Sequence, residues 1–335
     1  MRHLREFRAG KPAFYPDQAV YAEYACAAFG LRFRDIDGGT GLVFSVASKT
    51  RSIHFGAGRC SWYPQNNSTA GTLASDKYFT NRILEDAGVA TLGGDYFFLR
   101  ERHRAHRPAG HEREDAFAYF RRLDATAFVK PLQGSRGDFA QVLHGEAALD
   151  RYLLAVSKHY DAVLIQPIMT GREYRIFLLD DEILYSVRKY PPFVLGDGVR
   201  SIRDLLIAHD ADLQARGLSP SSATAISEPL DIVLPAGEHW EIPGRMNLSA
   251  GGRMAFEAPR SEAAFTAARK AAGAIGLRAA AVDLFSDIGG DPDAIRIIEV
   301  NSNPSIRLLE ESDRGDLILK IWRHTFSTVG LLDDV

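Results

Sequence analysis

The chain reads as a mixed α/β protein (α/β or α+β), built from several small layers. Period-two strand patterns and 3.6-residue helical patterns are interspersed along the whole length rather than segregated into halves. With 335 residues there is room for a large core or two to three subdomains. Two short apolar strands near the C-terminus, residues 279–286 and 297–304, place acidic and amide side chains at period-two spacing.

Taken in order, residues 14–29 have helical spacing, and short strands follow around 31–33, 42–46 and 52–55. The stretch 38–41 is a glycine-rich turn between the first two strands. Helical spacing returns at 74–87 and is closed by Gly88, the residue type favoured just past a helix end. Strands at 97–99 and 127–130 flank a helix near 114–123. Between them, residues 101–113 form a charged loop whose His103, His106 and His111 lack the carboxylate and thiolate partners of a defined metal site. A helix near 146–157 leads into a strand at 162–166. Strands at 173–179 and 182–189 are joined by the Asp180-Asp181 turn. Residues 195–199 (LGDGV) turn into a helix over 201–215, and 218–260 is irregular. An alanine-rich amphipathic helix, 261–275, precedes the two acidic strands. The pattern divides into an N-terminal α/β subdomain (1–73), a central subdomain (74–165) and a C-terminal subdomain (166–335).

Composition narrows the function classes. Hydrophobic residues make up 46% and charged residues 25%, the profile of a globular protein. A formal net charge of -3 gives no reason to expect nucleic acid or a membrane as partner. The two cysteines, Cys26 and Cys60, do not make a disulfide framework, which points to a reducing cytoplasm. No apolar run is long enough to span a bilayer, and the first residues lack the apolar core of a signal peptide.

The chemistry concentrates late in the chain. Glu299 and Asn301 sit two apart in IIEVNSNP and face the same way, and Asp283 lies on the neighbouring strand. As a hairpin, the two strands bring the three residues around one point. Oxygen-only donors of this kind suit Mg²⁺, which takes a few carboxylates together with water and nucleotide phosphates, so this cluster is the main pointer to ATP. FVKPLQGSRGDF ends a strand with Lys130 and opens a loop containing Gly134, Ser135 and Gly137. Its backbone amides can approach phosphate, although a plain surface turn has the same composition and the P-loop spacing is absent. LIQPIMTGREYR runs an apolar strand into an extended linker that can read an adenine edge, or is an ordinary strand–turn–strand. Arg188 either serves the site or pairs with Asp180 or Asp181. Lys77 either contacts phosphate or is a solvated helix lysine, and Arg175 shares a face with Glu173 and can pair with it.

Together these segments resemble the ATP-grasp superfamily, on the side of cyanophycin synthetase, glutathione-synthetase-like and D-alanine–D-alanine-ligase-like enzymes. The resemblance runs from about Tyr21 to Leu308. It is carried in order by SDK with LEDAGV, VKP with GSRG, IQPIMTGREYRIFLL, SVRKYPPFVLGDGVRSIRDLL, MNLSAGGRM, and VDL with EVNSNP. It implies three subdomains with ATP between the central and C-terminal ones. It also implies that Lys77, Lys130, Ser135 and Gly137 hold phosphates, that Gln166, Pro167 and Met169 read adenine, and that Glu173 holds the ribose. Asp283, Glu299 and Asn301 would bind Mg²⁺, as two ions with Glu299 between them, or Mn²⁺. Arg188 and Asn247, with the Gly251-Gly252 backbone, would serve the reacting centre. One departure is Pro167, which has no NH for adenine and leaves the contact to carbonyls or to the Met169 NH.

The activity so implied is ATP-dependent carboxylate–amine ligation through an acyl phosphate, with amino acids or short peptides as substrates and a lid drawn from 134–139 and 195–260. An ATP-grasp kinase acting on a hydroxyl and a non-catalytic nucleotide-binding module are the other classes. The extra C-terminal ligase domain of cyanophycin synthetase is not in this sequence, so a single addition is expected rather than polymer synthesis. Related enzymes are often dimers or tetramers, which leaves a homo-oligomer open.

Overall fold

The computed structural model describes residues 3–56, 61–134, 137–215, 229–242 and 251–333. The N-terminal part holds α1 (Leu4–Arg8), α2 (Asp17–Phe29) and the antiparallel sheet β1 (Arg32–Asp35), β2 (Val43–Ala47) and β3 (Ser52–Gly56). Helix α2 ends at Gly30 with φ 69°, a left-handed cap that glycine adopts without steric cost. Helices α3 (Ser68–Ser75) and α4 (Lys77–Asp86) follow where the sequence predicts one helix over 74–87. The break falls at Asp76, whose carboxylate accepts from the amides of Tyr78 and Phe79 and so starts a new helix.

Next come β4 (Asp95–Phe98), α5 (Arg113–Arg122), β5 (Thr126–Pro131), β6 (Gln141–His144), α6 (Glu146–Val156) and β7 (Ala162–Gln166). Their strands form a sheet in the order β4-β7-β5-β6, with α5 and α6 on one side. The chain then passes straight into β8 (Arg172–Leu179) and β9 (Glu182–Tyr190). After β10 (Phe193–Leu195), α7 (Ile202–Ala215) and β11 (His239–Glu241), it returns through β12 (Arg253–Phe256), α8 (Glu262–Ile275), β13 (Ala279–Ser286) and β14 (Arg296–Asn301). The second large sheet has the order β12-β9-β8-β13-β14. Beyond Pro304 the structure adds α9 (Arg307–Glu311) and α10 (Gly315–Thr328), which the sequence reading does not include.

Two departures have simple causes. Part of the region expected to be irregular, 218–260, lies outside the described residues; the remainder contains β11 and β12, too short to show alternation. Helix α4 falls inside the expected central subdomain yet packs on α8 and β14, so it belongs to the second large sheet. The segment 193–242 has a small core of its own around Val194, Ile202, Leu205, Leu206, Leu234 and Ile242. Among the described residues, no helix is long and apolar enough to cross a membrane.

Strand alternation positions the site. On β8, Tyr174, Ile176 and Leu178 face α8, whose buried Ala264, Ala268, Ala271 and Ala272 let it lie close to the sheet. The other face carries Glu173, Arg175, Phe177 and Leu179. Phe177 and Leu179 enter the core shared with α2, β2, β3 and α10, so that face is apolar at one end and charged at the other.

Asn66, buried at 8% exposure, pins the base of the β13–β14 hairpin to the N-terminal part. Its amide donates to the carbonyls of Ala279 and Ser302 at 2.8 and 2.9 Å. Its oxygen accepts from the amides of Arg278 and Ala279 at 2.9 and 3.0 Å. Replacing Asn66 by Leu strips partners from buried backbone groups and is expected to cost about 3 kcal/mol. The check is a chemical-denaturation midpoint; a midpoint equal to that of the parent would mean that water replaces the amide at no cost.

Candidate functional site

Two sheet faces meet across a cleft, joined by the linker 167–171. On the β4–β7 sheet, Lys130 stands in register with Leu164, and Phe128 with Gln166, so all four side chains point to one side. The opposite side, with Phe97, Ala127, Val129 and Ile165, packs against α5 and α6. Across the cleft, Asp283 is the register partner of both Arg175 on β8 and Glu299 on β14. The sequence-predicted trio is therefore assembled: Asp283 faces Glu299, and the Asn301 amide donates to Glu299 Oε1 at 3.2 Å.

Asp283 is 1% exposed and held by cations. Its Oδ1 accepts from Arg175 Nε at 2.7 Å, and its Oδ2 accepts from Arg175 Nη2 at 2.8 Å and Lys189 Nζ at 2.7 Å. Lys189 also pairs with Glu173. Burial alone would push the Asp283 carboxyl up, but Arg175 and Lys189 outweigh it and hold it well below the usual carboxylate range. Burial works against the Lys189 ammonium too, and Asp283 and Glu173 more than restore it. Arg175, expected as a partner of Glu173, has Asp283 instead.

Arg188 requires a correction. An unbroken hairpin counted from the Asp180-Asp181 turn would set Arg188 opposite Glu173, on the cleft face. A β-bulge between Phe177 and Leu178 inserts one residue into β9 and reverses the parity of everything beyond it. Arg188 then pairs with Tyr174 and turns to the α8 side, where it meets neither Asp180 nor Asp181. There it reaches Glu257 at 3.2 Å and lies over the Tyr190 ring at 4.6 Å. Lys189 takes the cleft position. The signal that finds Lys189 is its parity across a bulged register, which one strand's sequence does not display.

The phosphate-side residues come from two elements. Lys77 opens α4, and its ammonium donates to the carbonyls of Gly134 at 3.1 Å and Leu132 at 3.4 Å, tying the helix to the loop after β5. Burial pulls its pKa down, against the pull of Glu299 and Asp76. Lys130, 6% exposed, is pushed down to about 8, by burial first; Lys77 adds to this while Glu299, Glu173 and Asp283 oppose it. Both ammonium groups are short of negative charge, which suits a polyphosphate.

Gln166 donates to the Gly93 carbonyl at 2.7 Å, leaving a buried Oε1 with no partner among the described residues. Gly94 has φ +103°, and a Cβ there would stand 2.7 Å from Gln166 Cγ, so only glycine lets this loop close on the glutamine. Pro167 and Met169 are partly exposed in the linker that follows. Gly137 is in the left-handed region at φ 69°; Ser135 and Asn247 lie outside the described residues. Gly251 packs against His209 and Gly252 is buried. In the charged loop, His111 stacks on Tyr96 at 4.1 Å, which accounts for it without a metal.

The donor set fits a hard divalent cation. Glu299 and Asn301 are partly exposed oxygen donors side by side, Glu299 forms no ion pair among the described residues, and Asp283 faces it. Asp283 is the one member already engaged by cations.

The pH dependence follows from Lys130. Between about pH 8 and its ordinary value near 10.5 the unfolded chain binds the proton and the native protein does not, so stability rises with pH across that window. Affinity for a polyphosphate, with ADP as the probe, is expected to run the other way, falling about tenfold between pH 7 and 9.5 as the ammonium is lost. Calorimetric titration at the two pH values checks this, and Lys130→Met is expected to abolish the dependence, with weak binding at both.

No family model matches the chain. It is 26% identical over 271 residues to the glutathione biosynthesis bifunctional protein GshAB of Streptococcus thermophilus (strain CNRZ 1066), an alignment covering 72% of this chain and 33% of that protein. It is also 26% identical over 270 residues to cyanophycin synthetase of Synechocystis sp. (strain ATCC 27184 / PCC 6803 / Kazusa), covering 72% and 29%. The chain thus spans about a third of the length of the curated relatives it matches. Among solved structures, it superposes on a bifunctional glutathione synthetase from Pasteurella multocida with TM-score 0.54 and 17% identity, over 92% of this chain and 45% of that one. On D-alanine–D-alanine ligase from Bacillus anthracis the TM-score is 0.51 at 14% identity, over 78% and 69%.

Proposed function

We propose, from the premise that this chain has the ATP-grasp fold, that it is an ATP-dependent carboxylate–amine ligase acting on amino acids or short peptides. The observation that carries this reading is the convergence of Lys77 and Lys130 from one side of the cleft on Asp283, Glu299 and Asn301 from the other.

Lys77 and Lys130 bind the phosphate chain, and the linker after Gln166 holds the base by its backbone. Glu173, at the start of β8, would hold the ribose. Glu299, Asn301 and Asp283 would hold Mg²⁺, which when bound neutralises phosphate charge and orients the γ-phosphoryl group. A substrate carboxylate oxygen attacks the γ-phosphorus, the bond to the β–γ bridging oxygen breaks, and ADP leaves with that electron pair. Arg175 and Lys189 add positive charge beside the transferring group. The amine nitrogen of the second substrate then attacks the acyl carbon of the acyl phosphate. Inorganic phosphate departs, and the nitrogen gives up a proton to leave the amide.

ADP release measured across a panel of amino acids, with hydroxylamine present, tests the reading. Hydroxamate that accumulates with one carboxylate supports the ligase. ADP release that requires a polyol and yields no hydroxamate points to a kinase. Glu299→Gln is expected to slow ADP release about a hundredfold or more while leaving the thermal midpoint within a few degrees.

A further inference from the structure

We propose that Lys189 is a positioning residue that exchanges with a divalent cation at Asp283. Its ammonium bridges Asp283 and Glu173, and it withdraws onto Glu173 when a metal engages Asp283. This rests on the nucleotide and metal reading given above.

The geometry supplies each part. The side chains of Lys189 and Asp283 are 2% and 1% exposed, so neither charge has water to fall back on. Three of the roughly four lone-pair directions on Asp283 are taken, two by Arg175 and one by Lys189. A divalent ion brought to that carboxylate meets two cations already there. Arg175 grips both oxygens through a planar fork, a rigid arrangement, and among the described residues it is ion-paired with no other carboxylate. Lys189 is a point charge on a flexible stem, and it already touches a second carboxylate, Glu173. It is the cation free to give way.

Charge balance supports the same exchange. Asp283, Glu173, Glu299 and Asp76 face Arg175, Lys189, Lys130 and Lys77, so every carboxylate already has a cation to balance it. Such a site offers a bare divalent ion no unmatched negative charge and accepts it in company with a polyphosphate. Lys189 then sets the metal dependence of nucleotide binding, and Glu173 links the ribose end of the site to the metal end.

Mn²⁺ binding to the full chain, followed by electron paramagnetic resonance at saturating ADP, tests the exchange. Lys189→Met is expected to tighten Mn²⁺ about tenfold, because one positive charge leaves the neighbourhood of the metal. Lys189→Arg, which keeps the charge, is expected to match the parent or bind Mn²⁺ more weakly. Unchanged or weakened Mn²⁺ binding in a folded Lys189→Met protein would overturn the exchange, since loss of a merely structural lysine disrupts the site. Tightening in Lys189→Arg would do the same by removing charge as the cause. Should Lys189→Met fail to fold, Glu173→Gln decides. It confines the ammonium to Asp283 and is expected to weaken Mn²⁺ about fivefold, and tightening or no change overturns the proposal. A parent protein that takes up no Mn²⁺ with ADP would instead sink the nucleotide reading, and this inference with it.

Discussion

The buried ion group of Asp283, Arg175, Lys189 and Glu173 constrains the rest of the molecule. Each of these charges costs several kcal/mol to remove from water, and each is repaid only by partners on a different strand. Three strands must therefore hold one register. A slip of one residue would carry the charges to the α8 side, among Tyr174, Ile176 and Leu178. On β8 the charged stretch ends at Arg175, and two residues on, Phe177 is fully buried in the apolar core. That step marks where the dry interior stops and the cleft begins.

The cleft carries two desolvated ammonium groups that no carboxylate fully offsets. Lys130 comes from the middle of one sheet and Lys77 from the first turn of a helix tied to the loop after that strand. Burial lowers both, so a phosphate chain would repay an electrostatic debt the fold already carries. The linker after Gln166 is short and joins the two sheets directly.

Much of this was legible in the sequence because it depends on local periodicity. Glu299 and Asn301 share a face by two-residue spacing, and Asp283 joins them once the hairpin forms. Lys130 is marked by its place at the end of a strand before a glycine-rich loop. The split of the 74–87 helix was visible in principle in Asp76, a helix-starting residue type in the middle of a helical run. Arg188 and Lys189 were not separable in the same way. They are adjacent cations, and which one enters the cleft is set by a bulge at Leu184, four residues before Arg188, whose position depends on packing between strands. Helix α10 has buried residues at helical spacing, Ile318, Ile321, Trp322, Thr325 and Phe326, so its pattern was present but lay beyond the motifs. The packing of α4 on α8 is a tertiary fact with no local signature.

The core beneath the first sheet sets an order of events during synthesis. Phe55 on β3 meets Trp322 and Phe326 of α10, and α2 lies against the same helix. The N-terminal sheet and α2 therefore lack the part of their interior that α10 supplies until residues 315–328 have been made. Contacts spanning more than two hundred and fifty residues form late and slowly. Nascent chains stalled before residue 315 should hold an exposed aromatic surface, a natural client for a holdase chaperone, while the β4–β7 sheet, whose core lies within residues 97–165, is free to fold as it emerges.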